Sequence, residues 1–231
     1  MLILSIDTST QSCSIALHNN GELLALSSLF VEKSHSSMLT ILIENTLKNA
    51  GLAIHELDAI AVAKGPGSYT GLRIGVSTAK GLCLALEKPL IAINSLEAMA
   101  LQLNGLYDNT HLLCPMIDAR RLEVYCLIAD NLQNTIENTQ AKIIDEQSFL
   151  EHLEHKKMIF FGDGAKKCSK IITHKNAFFP NISIHPSAET IGKMATTKYT
   201  NQAFENLVTF EPFYLKEFIG TQPKKNSIVA P

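Results

Sequence analysis

Two short stretches carry residue types and spacings suited to binding phosphate. Asp7-Thr8-Ser9-Thr10 follows an apolar run and places a carboxylate and three hydroxyls on one turn. A phosphate-facing loop whose Asp organises a metal ion has this composition, and so does a polar hairpin turn held by its own Asx and Ser/Thr side chains. Lys64-Gly65-Pro66-Gly67-Ser68-Tyr69-Thr70-Gly71-Leu72-Arg73 is a glycine-rich loop between an apolar run and a helical pattern. Backbone amides at a helix start can cradle an anion, assisted by the helix dipole. No Gly-Lys-Ser/Thr closes the loop, so it is not a Walker A motif, and its glycines suit a tight strand-to-helix turn equally well. Asp7, Thr8, Ser9, Thr10, Gly65 and Gly67 are therefore the candidate nucleotide or phosphate residues. His152 and His155 stand three apart in a charged run without a third ligand at suitable spacing, which favours a solvated helix face over a metal site. Gly162-Asp163-Gly164 reads as a turn. No Ser-His-Asp set, Cys-His pair or close acid pair is legible.

The elements that position these loops follow from period and turn chemistry. Residues 2–6 form a buried strand, 13–17 a second, and Asn19-Asn20-Gly21 turns the chain into a third over 22–30. Ser34 to Ser37 cap a helix that runs to about Ala50, where Gly51 ends it. A strand over 57–63 lacks polar alternation, as in a sheet covered on both faces. A second helix spans about 70–86, and Pro89 precedes a strand over 90–93. The order β-β-β-α-β-α-β is that of a ribonuclease-H-like lobe.

The second half restarts the pattern. Leu112-Leu-Cys-Pro-Met-Ile-Asp118, a turn at Ala119-Arg120-Arg121, and Glu123-Val-Tyr-Cys-Leu-Ile128 echo the first strand, Asp7 turn and second strand. Further strands are expected near 141–144 and 158–161, and helices near 148–155, 165–173 and 188–200. The expectation is an α/β protein of actin-like ATPase (ASKHA, ribonuclease-H-like) fold with two lobes, 1–100 and a reduced 101–231, the C-terminal segment packing back on the first.

The first helix of this lobe carries more apolar surface than one core contact needs, and the second carries a strip of small residues. Met38, Leu39, Ile41, Leu42, Ile43, Thr46, Leu47 and Ala50 cover an arc of roughly 240°, where a core-facing stripe needs little over 100°. Gly71, Gly75 and Ala79 form a smooth strip that lets another helix approach. Met38, Leu39, Leu42, Thr46, Gly71, Leu72, Gly75, Ala79 and Leu82 are therefore the expected partner interface. On this reading a Gly75→Leu change abolishes pairing and leaves the monomer folded. The bland alternative is a helix buried deeply within its own lobe.

Composition narrows the field. Of 231 residues, 46% are hydrophobic and 18% charged, which excludes disorder as the main state. A net charge of -2 provides no diffuse basic field for a nucleic-acid backbone, so any RNA would be gripped mainly by another subunit. The start, Met1-Leu-Ile-Leu-Ser-Ile-Asp7, lacks a basic n-region, and no run approaches a membrane span. Five scattered cysteines (Cys13, Cys83, Cys114, Cys126, Cys168) without a CxxC pair read as reduced, buried thiols, and a cytoplasmic location is expected.

Several of these stretches together resemble the TsaB/YeaZ family, the small paralogues of the TsaD proteins that make threonylcarbamoyladenosine in tRNA. The resemblance rests on Ile6-Asp7-Thr8-Ser9, His35-Ser36, the run Gly65 to Gly75, Ala79-Lys80-Gly81, Asn94-Ser95-Leu96-Glu97-Ala98, and Asp118-Ala119-Arg120-Arg121 with Glu123-Val124-Tyr125. Where the catalytic paralogue has Asn-His-x-x-Gly-His, this chain reads Asn94-Ser95-Leu96-Glu97-Ala98-Met99, so Ser95 and Met99 replace two metal-binding histidines. Neither side chain is a good substitute for imidazole toward zinc or iron. Pro212-Phe213-Tyr214-Leu215-Lys216 departs from the family's Pro-x-Tyr-Leu-Arg, and Lys lacks the Arg fork.

The resemblance implies a non-catalytic activator with no catalytic residue, metal or cofactor of its own, ATP or ADP being a candidate only at the interface of the complex. Its implied partners are a TsaD-like catalytic subunit, a TsaE-like ATPase, a second copy of itself when alone, and tRNA indirectly. The reaction it implies is threonylcarbamoyl transfer to N6 of adenosine 37 in tRNAs reading codons that begin with A. A metal-dependent ATPase or peptidase acting alone is the competing expectation.

Overall fold

A computed structural model describes residues 1–31 and 35–216. Two five-stranded sheets organise them. The first contains β1 (Leu2–Asp7), β2 (Cys13–Asn19), β3 (Glu22–Leu29), β4 (Ala59–Gly65) and β5 (Leu90–Asn94), in the order β3-β2-β1-β4-β5. β1, β2 and β3 pair antiparallel, while β4 and β5 add in parallel. α1 (His35–Asn49) and α2 (Tyr69–Leu86) lie between these strands in sequence, and a 3-10 turn (Ile54–Glu56) precedes β4. Ser34, expected within the cap of α1, falls outside the described residues.

The second sheet contains β6 (His111–Asp118), β7 (Glu123–Ala129), β8 (Thr135–Ile143), β9 (Lys157–Phe161) and β10 (Ala177–Phe178). Its order is β10-β9-β6-β7-β8, with β6, β7 and β8 antiparallel and β9 and β10 parallel. Read from the other edge, this is the first sheet repeated strand for strand, with β6 standing where β1 stands. Two such lobes in tandem are the actin-like architecture. The repeat is unequal in its helices. α4 (Leu150–Leu153) and α5 (Ala165–Cys168) hold 4 residues each where α1 and α2 hold 15 and 18.

Three features differ from the sequence expectation. α3 (Ser95–Leu101) was not foreseen as a helix; Asn94 caps it by accepting from the amides of Leu96 and Glu97. The helices expected over 148–155 and 165–173 are single turns. α6 (Ala188–Thr200), assigned by sequence order to the second lobe, packs on the first sheet, where Ile191 and Ala195 join Ile3, Ala59, Ala61, Ile91 and Ile93 in one buried cluster. Gly192 permits that approach, since a Cβ there would stand 2.2 Å from Nδ1 of the buried His18. α1 and α2 pack against the cluster on the other face, which includes Leu4, Ile6, Ile15, Leu39 and Val76.

The chain then runs as a strap over 204–216. Glu205 bridges to Leu90, the Phe213 amide donates to the Lys64 carbonyl at 2.7 Å, and Lys80 Nζ donates to the Phe210 carbonyl at 2.9 Å. Its end reaches the second lobe through an ion pair of Lys216 with Glu123. All five cysteines are free and buried, and burial raises the thiol pKa of Cys13 to about 11 and of Cys83 to about 12. Among the described residues, no helix is long and apolar enough to cross a membrane.

Candidate functional site

The two candidate phosphate loops meet in the structure, and each fills the other's space. Asp7 ends β1 and accepts at Oδ1 from the Ser9 amide (2.9 Å) and the Ser9 hydroxyl (2.7 Å), an Asx turn. The Ser68 amide donates to the Ser9 carbonyl at 2.6 Å, and Thr8 Oγ1 donates to the Gly71 carbonyl at 2.7 Å. A Cβ on Gly67 would lie 2.1 Å from the Ser9 carbonyl oxygen, and one on Gly71 2.1 Å from that of Thr8. These glycines are required by contact with the Asp7 turn. Asp7, Thr8, Ser9 and Thr10 are all buried, and the Ser9 and Ser68 amides that could face an anion already donate internally. Gly65, at φ +110, lies under Leu72 and the Phe213 carbonyl, so the strap closes the same loop from outside.

Asp7 has one carboxylate oxygen without a partner among the described residues. Burial pushes its pKa up to about 6; the Ser9 hydrogen bonds and the charge of His35 pull in the opposite direction. His35 starts α1 with Nε2 2.7 Å from the Thr10 carbonyl oxygen, which ties the helix to the turn.

The positions that the resemblance assigns to metal-binding histidines lie on α3. Ser95 is fully buried and its hydroxyl has no partner among the described residues. Met99 is packed with Leu96, Leu113 and Ile117, its terminal methyl 2.7 Å from where a Cβ on Gly162 would stand. A hydroxyl and a thioether sealed in an apolar cluster do not fit zinc or iron. Among the described residues no three His, Cys, Asp or Glu side chains come close enough to hold an ion. His152 instead lies 2.5 Å from Glu137 Oε1 on β8, and α4 ends before His155. Asp163 accepts from the Asp118 amide at 3.0 Å, holding the Gly162 turn against the end of β6.

The expected partner interface divides. Leu39, Leu42, Thr46, Gly71, Leu72, Gly75 and Ala79 are buried within the first lobe. The glycine strip faces Thr8, whose Oγ1 would be 2.3 Å from a Cβ on Gly75, so Gly75→Leu would break the fold and cannot test pairing. Thr46 donates to Ser27 on β3 at 2.8 Å. The wide apolar arc of α1 therefore serves its own lobe on most of its width, while Met38 is half-buried and Ile41 is 44% exposed. Leu82 does reach the surface, in an open groove of about 520 Å³ between α1 and α2. Ile43, Leu47, Leu52, Ile54 and Leu82 make its floor, and Glu44 and Lys48 stand at its edge. Of the nine residues expected at the interface, Leu82 alone lines this groove and Met38 is half-buried, while the other seven are buried.

Beside the glycine loop the strap builds an aromatic cluster that sequence reasoning missed. Tyr69 and Tyr214 have ring centroids 4.8 Å apart, and the Arg73 guanidinium lies 4.3 Å over the Tyr69 ring. Arg73 Nε donates to the Tyr214 hydroxyl at 3.3 Å across 141 positions of sequence. Tyr69 and Arg73 stand in the glycine-rich run and Tyr214 in the Pro212-Phe213-Tyr214-Leu215-Lys216 run, but nothing in the sequence joins the two.

Comparison with known proteins adds a family to this geometry. The sequence model of the TsaD family, described as tRNA N6-adenosine threonylcarbamoyltransferase, matches residues 29–230. The chain is 28% identical over 225 residues to a Haemophilus influenzae protein named tRNA threonylcarbamoyladenosine biosynthesis protein TsaB, covering 94% of each. It is 31% identical over 192 residues to the protein of the same name from Buchnera aphidicola subsp. Schizaphis graminum, covering 78% of this chain and 89% of that one. Among solved structures it resembles an uncharacterized protein with similarity to peptidase YeaZ from Pseudomonas aeruginosa, at TM-score 0.81 and 25% identity over 93% of this chain and 99% of the other.

Proposed function

The chain belongs to the TsaB/YeaZ family, and on that premise we propose that it is the non-catalytic subunit of an assembly that makes threonylcarbamoyladenosine in tRNA. In this reading it seats a TsaD-like catalytic subunit on the α1–α2 groove and holds it in the form competent for threonylcarbamoyl transfer. The observation that carries the reading is the groove itself, an apolar floor left open between the two longest helices of the fold. A side chain the size of Leu seated there contributes about 1.5–3 kcal/mol, so a helix inserting two or three anchors would pair firmly. The replacement of imidazoles by Ser95 and Met99 supports a subunit that leaves the chemistry to its partner. The same groove would accept a second copy when the catalytic subunit is missing, and a TsaE-like ATPase would act on the assembled pair.

The test places charge in the groove. Leu82→Glu with Thr78→Arg should cut capture of the purified TsaD-like subunit at least tenfold and reduce tRNA modification in a reconstituted system to the level seen without the chain. The half-buried positions of both residues should keep the melting transition cooperative. Undiminished capture by a folded double variant would end this reading.

A further inference from the structure

The surface where the strap joins the two lobes gathers three of the chain's five tyrosines, Tyr69, Tyr125 and Tyr214, around one shallow cleft. Arg73 is exposed above it, stacked on Tyr69 and bonded to Tyr214. At the adjoining tip of the β6–β7 hairpin stand Arg120 (φ +71) and Arg121 (φ +51). Turns that need positive φ favour Asn, Asp and Gly, which adopt it at least cost; here two arginines occupy the positions in succession. The acidic groups nearest them are already engaged, Asp118 with Lys167 at 2.5 Å and Glu123 with Lys216. Neither Arg120 nor Arg121 has a side-chain hydrogen bond or ion pair among the described residues. The turn joins the cleft through β7 and the strap: the Glu123 amide donates to the Arg120 carbonyl at 3.1 Å, Glu123 pairs with Lys216, and both Lys216 and Tyr125 line the cleft.

Exposed guanidiniums beside tyrosine rings suit two kinds of partner. A protein hot spot needs a pocket for its anchors, and the cleft here has only about 30 Å³. An unpaired nucleotide needs a ring face for its base and a cation for its phosphate, and no pocket. We infer that Arg73, Arg120, Arg121, Tyr125 and Tyr214 form a contact surface for an unpaired RNA loop, the arginines taking backbone phosphates and the tyrosines a splayed base. The choice of RNA rests on the reading of the chain as part of a tRNA-modifying assembly. The cleft shares no lining residue with the α1–α2 groove. It supplies a local grip in a chain whose net charge of -2 provides none at long range.

The test is fluorescence anisotropy with a labelled RNA stem-loop carrying an unpaired adenosine-containing loop, at low salt, on the isolated chain and on the chain bound to the catalytic subunit. Arg120→Gly with Arg121→Gly removes both charges and fits the backbone, so its melting temperature should hold or rise. RNA affinity should fall about tenfold, and the slope of log affinity against log salt should shrink by roughly 1.4, the value for two lost phosphate contacts to a single strand. Tyr214→Leu should weaken binding without changing that slope. Unchanged affinity and slope in the double-glycine variant overturns the inference, as does failure of either form of the wild-type protein to bind the RNA. Loss of catalytic-subunit capture with RNA binding intact would give the surface to a protein partner and also overturns it. Failure of the proposed function would show separately, as a wild-type chain that does not capture the catalytic subunit, and the RNA titration of the isolated chain would still decide.

Discussion

Asp7 holds the β1–β2 turn together with a single carboxylate oxygen, and the other has no partner among the described residues. Burial disfavours the charged form and raises the pKa from 3.8 to about 6. A carboxyl whose folded pKa lies above its unfolded one stabilises the fold while protonated. That contribution is complete below about 3.8 and is lost as pH rises through about 6. A gap of about two units corresponds to about 3 kcal/mol. Asp7→Asn keeps an acceptor for Ser9 and never ionises, so it should be more stable than the natural chain at pH 7.5 by about 1–3 kcal/mol and close to equal near pH 4. Thermal melts of the two proteins across this range measure the difference, in which other carboxylates cancel. Parallel curves from pH 4 to 8 would show that Asp7 does not carry the cost.

At the scale of elements, glycines in one loop-helix unit serve opposite ends. A Cβ on Gly67 would stand 2.1 Å from the Ser9 carbonyl oxygen, whereas one on Gly81, exposed on α2, would meet nothing within 4 Å. Gly67→Ala should therefore cost about 3 kcal/mol by parting the Asp7 turn from α2, and Gly81→Ala should gain about 0.5–1 kcal/mol from helix propensity. Urea titration of both variants checks the pair, and equal effects would show that loop contact does not govern the unit. The same contrast explains what was legible in the sequence. β1, β2, α1 and α2 were readable because each buries one face or both against a large cluster, which writes a period into the chain. β8 runs from Thr135 but only its last residues were foreseen, since an edge strand with mostly exposed or half-buried side chains carries no such period. Ser95–Leu101 is buried nearly all round and short, so its helix left no amphipathic trace. The open groove and the Tyr69–Arg73–Tyr214 cluster arise from distant segments meeting, and no local pattern encodes that.

On the scale of the whole molecule, the two sheets repeat each other while the long helices with a groove between them belong to the first lobe. The sheets repeat strand for strand, but the second retains only single turns where the first has α1 and α2. The two lobes are nevertheless not separable pieces of chain. α6 crosses back to cover the face of the first sheet formed by Ile3, Ala59, Ala61, Ile91 and Ile93, and Leu207 and Phe210 of the strap pack on its other core. A fragment ending at residue 185 keeps every strand of both sheets and loses both covers. Its first sheet would expose a continuous apolar face, and each Leu or Ile side chain left in water forfeits about 1.5–3 kcal/mol, which exceeds the margin of an ordinary domain within a few residues. The fragment should therefore lose the cooperative melting transition and bind a hydrophobic dye, and a synthetic peptide spanning 186–216 should restore protection of the β1 and β4 amides in hydrogen exchange. A fragment that melts cooperatively at the temperature of the full chain would mean that the first lobe folds without α6. The returning helix would then be a passenger rather than the element that closes the molecule.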